Sequence, residues 1–580
     1  MAALAAGTSS CTDSYLDKEV DLTLQGSNLF SDYDMTRGFQ AQLYDYLPDA
    51  FVGYTDGQYR GASRDCMTDN AVSFWTAHYY NSVLSDGFNA TNHPFSTFFW
   101  NRNFAGIRGC NQFLTNAKAD VVGNAAKPGD ENHLYDRWVA EVRVLRAILH
   151  MDLASYFGDV PVIGDDESGK PIIMSPGVSI PPRTDCADVL KWIADECDKY
   201  KDDLPFRYSD EATNWGRING AAAYALRARA LLYRASRLHN PDNDQKRWEE
   251  AAEAALDFIR KNQEQANPYR LYTSSDNDPS KNYYECFVSD PTSNNEYILS
   301  RSVWTTTAIE DFLTPCGFGG TVVATGRTNP TQNLVDCYET INGLPIDKDP
   351  SYDPQNPFKD RDPRLDQTIL HHGSIWGDAY TNEERPVDVT FGEGLDYASI
   401  HGGTLTGYYT KKFCVNISWT THPASRHACP IFRYAEVLLN AAEALNECGR
   451  SGEAERYVSQ VRERVGMPAY HGLGQAELRD RIRNERRIEL CFEDHRFFDE
   501  RRWMLFENTT PASEMNKPYY QQVYNLYGVT VHPNSSRVFN YGPAEVHPLR
   551  TFNAPKNYYF PIPHKEIISL GYEQTPGWEL

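Results

Sequence analysis

The sequence predicts a mainly α-helical protein in which paired helices form a scaffold for a long, loop-rich stretch. Two observations support this prediction. Apolar and small residues recur at spacings of three and four in several paired segments, which is the period of one helix face. Between about residues 267 and 429 that period fades, and Gly, Pro, Asn, Asp and aromatic residues dominate. Loops held on a rigid scaffold often carry function, so we expect ligand contacts in this irregular part.

The clearest helical pairs lie at residues 219–262 and 431–466. In the first pair, Ala222 and Ala225 line one helix and Ala251 lines the next, with a Pro-containing turn between them. Small residues at these positions allow two helices to approach closely. This pattern is typical of a tetratricopeptide hairpin.

A third pair is indicated by an apolar periodic segment at residues 142–156, which ends at a Gly-Asp-Val-Pro sequence, and by a partner helix at residues 186–200. A further helix is expected at residues 100–114 or 36–47, and either could complete a fourth pair with these elements.

Composition narrows the function classes. The chain has 580 residues and a formal net charge of −23, which argues against nucleic acid because phosphate backbones are bound by Lys and Arg. Aromatic residues reach 13%, with 36 Tyr and 11 Trp, which is more Tyr and Trp than a core normally needs. We therefore expect some of these rings on recognition surfaces. No run of 18 or more apolar residues follows Cys11, so no membrane-spanning helix is predicted.

Cys11 follows a short apolar stretch and three small residues, which is the arrangement at the end of a lipoprotein signal. We therefore expect residues 1–11 to be the remaining part of such a signal and Cys11 to be the lipidation site. Acyl chains on this cysteine would tether the protein to a membrane surface.

Several stretches distributed over nearly the whole chain resemble the SusD/RagB family of outer-membrane nutrient-binding lipoproteins of Bacteroidota. The resemblance is carried by residues 11–17 (CTDSYLD), 141–147 (EVRVLRA), 156–161 (YFGDVP), 361–364 (RDPR), 432–444 (FRYAEVLLNAAEA), 485–499 (ERRIELCFEDHRFFD) and 561–563 (PIP).

The resemblance implies a scaffold of four tetratricopeptide-like helix pairs with an irregular ligand-binding part that carries short strands. It also implies a lipid-anchored protein at the cell surface that captures glycans, or in some members peptides, and delivers them to a SusC-type TonB-dependent outer-membrane transporter without catalysis. We expect a single body over residues 12–580, with the scaffold at about 30–262 and 430–500 and the irregular part at about 50–100, 267–429 and 505–555.

A sugar-binding site needs exposed aromatic faces for the C–H face of a sugar ring, together with polar groups that bind the hydroxyls. The first candidate group offers both within a short stretch and consists of Asp65, Asp69, Asn70, Trp75 and Tyr79. It is the preferred site.

A second candidate group lies in the irregular part. It consists of Arg301, Trp304, Trp376 and Tyr409. Any one aromatic residue is more often part of a core than of a contact surface.

Acidic residues raise two other possibilities. Glu489 and Glu493 could form the carboxylate pair of a glycosidase, but the neighbouring arginines favour structural ion pairs in the block 485–499. Residues 347–353 loosely resemble a calcium loop but lack the Gly and the closing Glu of an EF-hand, so calcium stays an alternative and no other cofactor is expected. A zinc site at His422, His427 and Cys429 is less favoured than an exposed turn.

The main alternatives to oligosaccharide binding are the same scaffold with an oligopeptide ligand and a helical glycoside hydrolase. A tetratricopeptide adaptor for other proteins is a further alternative. The sequence lacks the nucleophile-elbow, Walker and zinc-protease motifs, which favours binding over catalysis.

Overall fold

The computed structural model describes most of the chain after its first 28 residues. The described residues are 29–51, 61–75, 79–124, 133–174, 180–318, 324–378, 383–399, 402–416, 424–508, 522–533, 538–544 and 550–579. Cys11, the predicted lipidation site, lies outside this set.

Helices form most of the regular structure, as predicted. They are α1 (Tyr33–Gln42), α2 (Tyr79–Leu84), α3 (Pro94–Asn116), α4 (Ala119–Asn124), α5 (Leu134–Phe157), α6 (Cys186–Tyr200), α7 (Glu211–Asn214), α8 (Gly220–Ala235), α9 (Gln245–Gln263), α10 (Pro279–Val288), α11 (Ala308–Leu313), α12 (Gln332–Val335), α13 (Arg364–Thr368), α14 (Tyr434–Glu447), α15 (Ser451–Glu463), α16 (Gln475–Glu489), α17 (Arg496–Arg502) and α18 (His564–Leu570). None of the helices in these described ranges combines the length and the hydropathy needed to cross a membrane.

The scaffold is a series of helices in which each packs against the next. The order of contact is α3, α5, α6, α8, α9, α14 and then α15 and α16. The predicted pairs at residues 219–262 and 431–466 are therefore confirmed as α8 with α9 and as α14 with α15. The third pair is α5 with α6, and the helix that joins it is α3 rather than α1.

The sequence explains why these helices begin and pack where they do. The Asn219 side chain accepts a hydrogen bond from the Ala222 N–H (2.9 Å) and caps α8, while Asp244 caps α9. The alanines of α8 and α9 that face the partner helix are buried, so the two backbones approach closely. Gly449, with φ of +81°, ends α14 in a conformation that a residue with a Cβ adopts at a cost.

Short strands occur mainly in the irregular part. They are β1 (Ala71–Ser73), β2 (Val160–Pro161), β3 (Arg183–Thr184), β4 (Tyr297–Thr306), β5 (Thr328–Pro330), β6 (Ile369–Leu370), β7 (Ile375–Asp378), β8 (Glu383–Pro386), β9 (Tyr409–Thr410), β10 (Ser425–Arg433), β11 (Tyr527–His532) and β12 (Val538–Pro543). Within the described residues they pair antiparallel in two-stranded sheets: β1 with β5, β2 with β3, β4 with β10, β6 with β9, β7 with β8 and β11 with β12.

One contiguous apolar core connects the scaffold to the irregular part and extends from Phe30 to Ile562. The block 485–499 lies against this core, and its charged residues are almost all buried. Glu489 is fully buried and contacts Arg433 (2.7 Å), Arg364 (3.1 Å) and Arg464.

The expected ion pairs of this block are therefore present, but most of their partners come from distant segments. Local pairs also form, such as Arg502 with Asp499 at 2.8 Å. Burial alone would raise the pKa of Glu489, yet the charges of Arg464, Arg433 and Arg364 hold it well below its usual value. Glu493 is likewise bound by Arg433 (2.7 Å) and Lys412 (2.6 Å). Both carboxylates are buried and form ion pairs. This contradicts the hypothesis that Glu489 and Glu493 are the carboxylate pair of a glycosidase.

The candidate metal residues serve other purposes where they are described. Asp349 stabilises the loop that contains it, because its carboxylate accepts hydrogen bonds from Asn342 (2.9 Å) and from the Ser351 hydroxyl (2.7 Å). His427 faces Glu310, with 3.1 Å between its Nε2 and a carboxylate oxygen, and His422 lies outside the described residues. Across the described part of the chain, no group of three or more His, Cys, Asp or Glu side chains is arranged to hold a metal ion.

Candidate functional site

Trp75 lies at the end of a strand that a distant part of the chain holds in place. It follows β1, which pairs with β5, and the Phe74 N–H donates to the carbonyl of Arg327 (3.3 Å) and continues the ladder. The guanidinium of Arg327 lies 4.3 Å from the centroid of the Trp75 ring. Trp75 and Arg327 are both half-buried, so the pair is partly open to solvent.

A second aromatic ring also lies near this guanidinium. Arg327 is 5.7 Å from the ring of Phe312 at the end of α11, and its backbone N–H donates to the Phe312 carbonyl (2.7 Å). Phe312 is also half-buried. We call Trp75, Phe312 and Arg327 the Trp75 patch.

The backbone beside this patch is tightly packed. Gly61 has φ of +76°, and a Cβ built on it would lie 2.2 Å from the Phe312 ring. Only glycine allows the chain to pass there in this conformation. The ring of Phe312 is therefore held firmly, which favours its use as a fixed surface.

Polar residues adjoin the patch in the chain or by a hydrogen bond. The Asp311 carboxylate accepts a hydrogen bond from the Thr307 hydroxyl (2.9 Å), and the Asn81 amide donates to the Trp75 carbonyl (3.2 Å). Tyr79, at the start of α2, is 46% exposed and meets Phe95 edge to face at 6.4 Å between ring centroids. The arrangement offers flat apolar rings, a cation and a carboxylate, all of which are groups that bind polyhydroxylated ligands.

Three residues of the first predicted group lie inside the protein rather than at a surface. Asp69 is fully buried and accepts two hydrogen bonds of 2.8 Å from Arg496, with Arg487 at 3.1 Å. Asp65 accepts hydrogen bonds from the Asn70 amide (3.0 Å) and from the Phe492 N–H (2.7 Å).

The prediction that Asp65, Asp69 and Asn70 contact a ligand is therefore corrected, because their polar groups are occupied by the block 485–499. Burial raises the pKa of Asp65 to about 7, since the hydrogen bonds from Asn70 and Phe492 offset only part of the lost hydration. For Asp69, burial also raises the pKa, but Arg487 and Arg496 outweigh it and the pKa lies well below its usual value.

The second predicted group is also largely interior. Trp376 is 1% exposed and Tyr409 is fully buried, with the Tyr409 hydroxyl donating to the Asp396 carbonyl. A Cβ on Gly326, which has φ of +55°, would lie 2.1 Å from the Tyr409 ring. Both rings belong to the apolar core, so the prediction that they contact a ligand is wrong.

Arg301 and Trp304 have different outcomes. Arg301 is half-buried, donates to the Leu47 carbonyl (3.0 Å) and lies 3.6 Å from Asp49. It therefore anchors the segment after α1. The side chain of Trp304 lies outside the described part of the structure.

Of the predicted residues, Trp75 and Tyr79 are thus partly open to solvent, while their proposed polar partners are not. Sequence reasoning missed Phe312 and Arg327. Their approach to Trp75 depends on the pairing of β1 with β5, and short strands of three residues carry almost no periodicity by which such pairing could be predicted.

The fold and this surface define a class of helical-repeat protein with a loop-borne aromatic patch. The SusD family model matches residues 295–578. Among curated proteins, SusD-like protein P2 of Formosa agariphila is 37% identical over 145 residues, which cover 23% of this chain and 23% of that relative's length.

Solved structures extend the likeness to almost the whole fold. A SusD-like protein from Bacteroides fragilis superimposes with a TM-score of 0.74 at 24% identity, over 96% of this chain and 99% of the other. A SusD-like carbohydrate-binding protein from the same organism gives 0.67 at 25% identity, over 93% and 98%. This chain belongs to the SusD family.

Proposed function

We propose that this protein binds oligosaccharides at the Trp75 patch and passes them on unaltered. In this proposal Cys11 carries a lipid that anchors the protein at the outer face of the outer membrane, and a SusC-type transporter receives the ligand. The single observation that carries the proposal is a half-exposed Trp75 ring, fixed by Arg327, on the fold that this chain shares with a carbohydrate-binding relative.

The geometry suits sugars for a physical reason. The apolar C–H face of a sugar ring can lie flat on an indole ring, and the neighbouring guanidinium of Arg327 can donate hydrogen bonds to the hydroxyls. Each such hydrogen bond contributes only about 0.5–1.5 kcal/mol net, because the hydroxyl gives up hydrogen bonds to water. We therefore expect modest affinity per ring, with enclosure between the protein and its transporter burying more of the ligand.

The absence of catalysis is part of the proposal. Its support is that the carboxylates Glu489 and Glu493 are engaged in buried ion pairs. Incubation with polysaccharides, followed by measurement of new reducing ends, tests it. Steady release of reducing ends would show hydrolysis and would refute this part.

Titration calorimetry with a panel of neutral oligosaccharides and a mixture of short peptides tests the ligand class. Heat with one or more glycans and none with the peptides supports the proposal, and heat only with peptides would replace the glycan by an oligopeptide.

The site is tested by Trp75→Ala against Tyr457→Ala, since Tyr457 is also a half-buried aromatic residue but lies on α15. We expect Trp75→Ala to weaken glycan binding by about 2 kcal/mol, or about thirtyfold, at an unchanged melting temperature. Tyr457→Ala should leave the affinity unchanged. Equal affinity of wild type and Trp75→Ala for the bound glycan would move the site elsewhere.

A further inference from the structure

A large cavity lies apart from the residues of the Trp75 patch. It has a volume of about 620 Å³ and is lined by the segment after α12, by one face of α16, by Arg496 and Trp503 around α17, and by Leu505 and Val523. By comparison, the cavity between α5 and the block 485–499 holds about 80 Å³. Sites for small molecules commonly measure about 300–1,000 Å³, so the larger cavity has the size of a ligand site.

Most arginines that line this cavity are neutralised. Arg481 pairs with Glu339, Arg487 lies 3.1 Å from Asp69, and Arg496 lies 2.8 Å from the same carboxylate. These three side chains are therefore held by the protein and contribute little net charge to the cavity.

Arg483 is different. No carboxylate among the described residues lies within 4.0 Å of its guanidinium, and its buried Nε has no hydrogen-bond partner there. The guanidinium carbon lies 4.9 Å from the centroid of the Trp503 ring. This contact orients the side chain at the cavity wall and leaves its positive charge without a counter-charge.

The surroundings of Arg483 add to this imbalance. Burial lowers its pKa, Glu443 and Glu447 raise it in part, and the charges of Arg502 and Arg479 lower it further. The two glutamates are already engaged, since Glu443 is bound by Arg502 and Glu447 by Arg479. Arg483 is half-buried, so water solvates its guanidinium only in part, and an anion that entered the cavity would supply the missing counter-charge.

The cavity wall also limits the charge of such an anion. It carries the carboxylates of Glu477 and Asp480, which repel a multiply charged group such as a phosphate dianion. A singly charged carboxylate matches the charge of the Arg483 guanidinium and can bind it through two parallel hydrogen bonds.

Hydroxyl groups on the ligand would also find an acceptor. Asp336 lines the cavity, and within the described residues its carboxylate accepts a hydrogen bond from Gln332 (2.6 Å), which leaves further lone pairs. Leu505 and Val523 supply an apolar wall for the body of the molecule.

We propose that this cavity is a second binding site, separate from the Trp75 patch, for a hydroxylated monocarboxylate of the sugar-acid class, with the carboxylate on Arg483 and hydroxyls on Asp336. The overall negative charge of the protein opposes this ligand only weakly, because exposed charges are screened beyond about 8 Å at physiological salt.

The test uses the monocarboxylate galacturonate, its neutral counterpart galactose and the peptide trialanine as probes in titration calorimetry. The variants are Arg483→Gln and, as a matched control, Arg479→Gln one turn away on α16, where the arginine is paired with Glu447. We expect wild type and Arg479→Gln to bind galacturonate with similar affinity, and Arg483→Gln to bind it at least tenfold more weakly. Galactose should bind at least tenfold more weakly than galacturonate.

Thermal unfolding gives a second readout. Because Arg483 has no ion pair to lose among the described residues, Arg483→Gln should melt no lower than wild type, and only wild type and Arg479→Gln should gain melting temperature with galacturonate. The proposal is overturned if wild type shows no binding of galacturonate, if Arg483→Gln binds it equally well, or if trialanine binds more tightly than the sugar acid. Trp75→Ala should not change galacturonate binding, so this site and the glycan proposal succeed or fail separately.

Discussion

Replacing Asp69 by Asn should destabilise the protein without altering its ligand contacts. Asp69 has no exposed surface, and its carboxylate is bound by Arg496 through two hydrogen bonds of 2.8 Å and by Arg487 at 3.1 Å. The substitution leaves two buried guanidiniums facing a neutral amide. Glu500 lies 3.5 Å from Arg496 but is already bound by Arg550 at 2.8 Å, so it replaces little of what is lost.

Breaking a buried ion pair by removing one partner costs about 3–5 kcal/mol, so we expect Asp69→Asn to lower the free energy of unfolding by about 3 kcal/mol. Urea titration followed by circular dichroism measures this difference. The control is Asp195→Asn, because the pair of Asp195 with Lys191 is exposed and should contribute only about 0.3–0.5 kcal/mol.

The reasoning would be refuted in either of two ways. A loss below about 1 kcal/mol would mean that the buried pairs do not hold the segment after β1. Unchanged stability together with loss of glycan binding would return Asp69 to the set of contact residues, and the burial seen here would then not describe the ligand-bound protein.

Two further predictions concern buried groups. The pKa of Asp65 is raised to about 7, so its folded form holds a proton that the unfolded chain loses near pH 4. The stability of the wild-type protein therefore decreases as the pH rises from about 4 to about 7, because the folded protein must then bury a charged carboxylate. Asp65→Asn should become progressively more stable relative to wild type over that range. Urea titrations at pH 5 and 7.5 measure this, and a constant difference between the two proteins would contradict the prediction. Trp376→Ala should lower the free energy of unfolding by about 3–5 kcal/mol, because the ring is 1% exposed and leaves a cavity, whereas Trp75→Ala should not; equal melting temperatures of the two variants would contradict the assignment.

The helical scaffold was predictable because its causes are local. Small residues at spacings of three and four, the caps Asn219 and Asp244, and the glycine after α14 all act within a few residues of the helices that they shape. The pairs α8 with α9 and α14 with α15 therefore formed where the periodicity indicated. The choice of α3 over α1 as the helix beside α5 depended on packing, and the sequence left it open.

The candidate site was predictable only in part. Trp75 and Tyr79 were identified as aromatic residues near polar groups, and the structure leaves both partly open to solvent. The sequence gives no indication that Asp69, six residues before Trp75, is bound by an arginine 427 residues further along the chain. In the sequence, an aspartate in a polar stretch cannot be distinguished as one that faces water or one that binds a buried guanidinium.

The sequence by itself determined the set of paired helices, because helix formation depends on neighbours in the chain. It also carried the stretches by which the chain resembles its family. Only the tertiary structure decided which aromatic rings face solvent. The pairing of β1 with β5 brings Arg327 to Trp75, while the packing around β5 encloses Tyr409. The physical reason is that burial depends on contacts between segments far apart in sequence, and no local pattern encodes which of two similar rings the core will enclose.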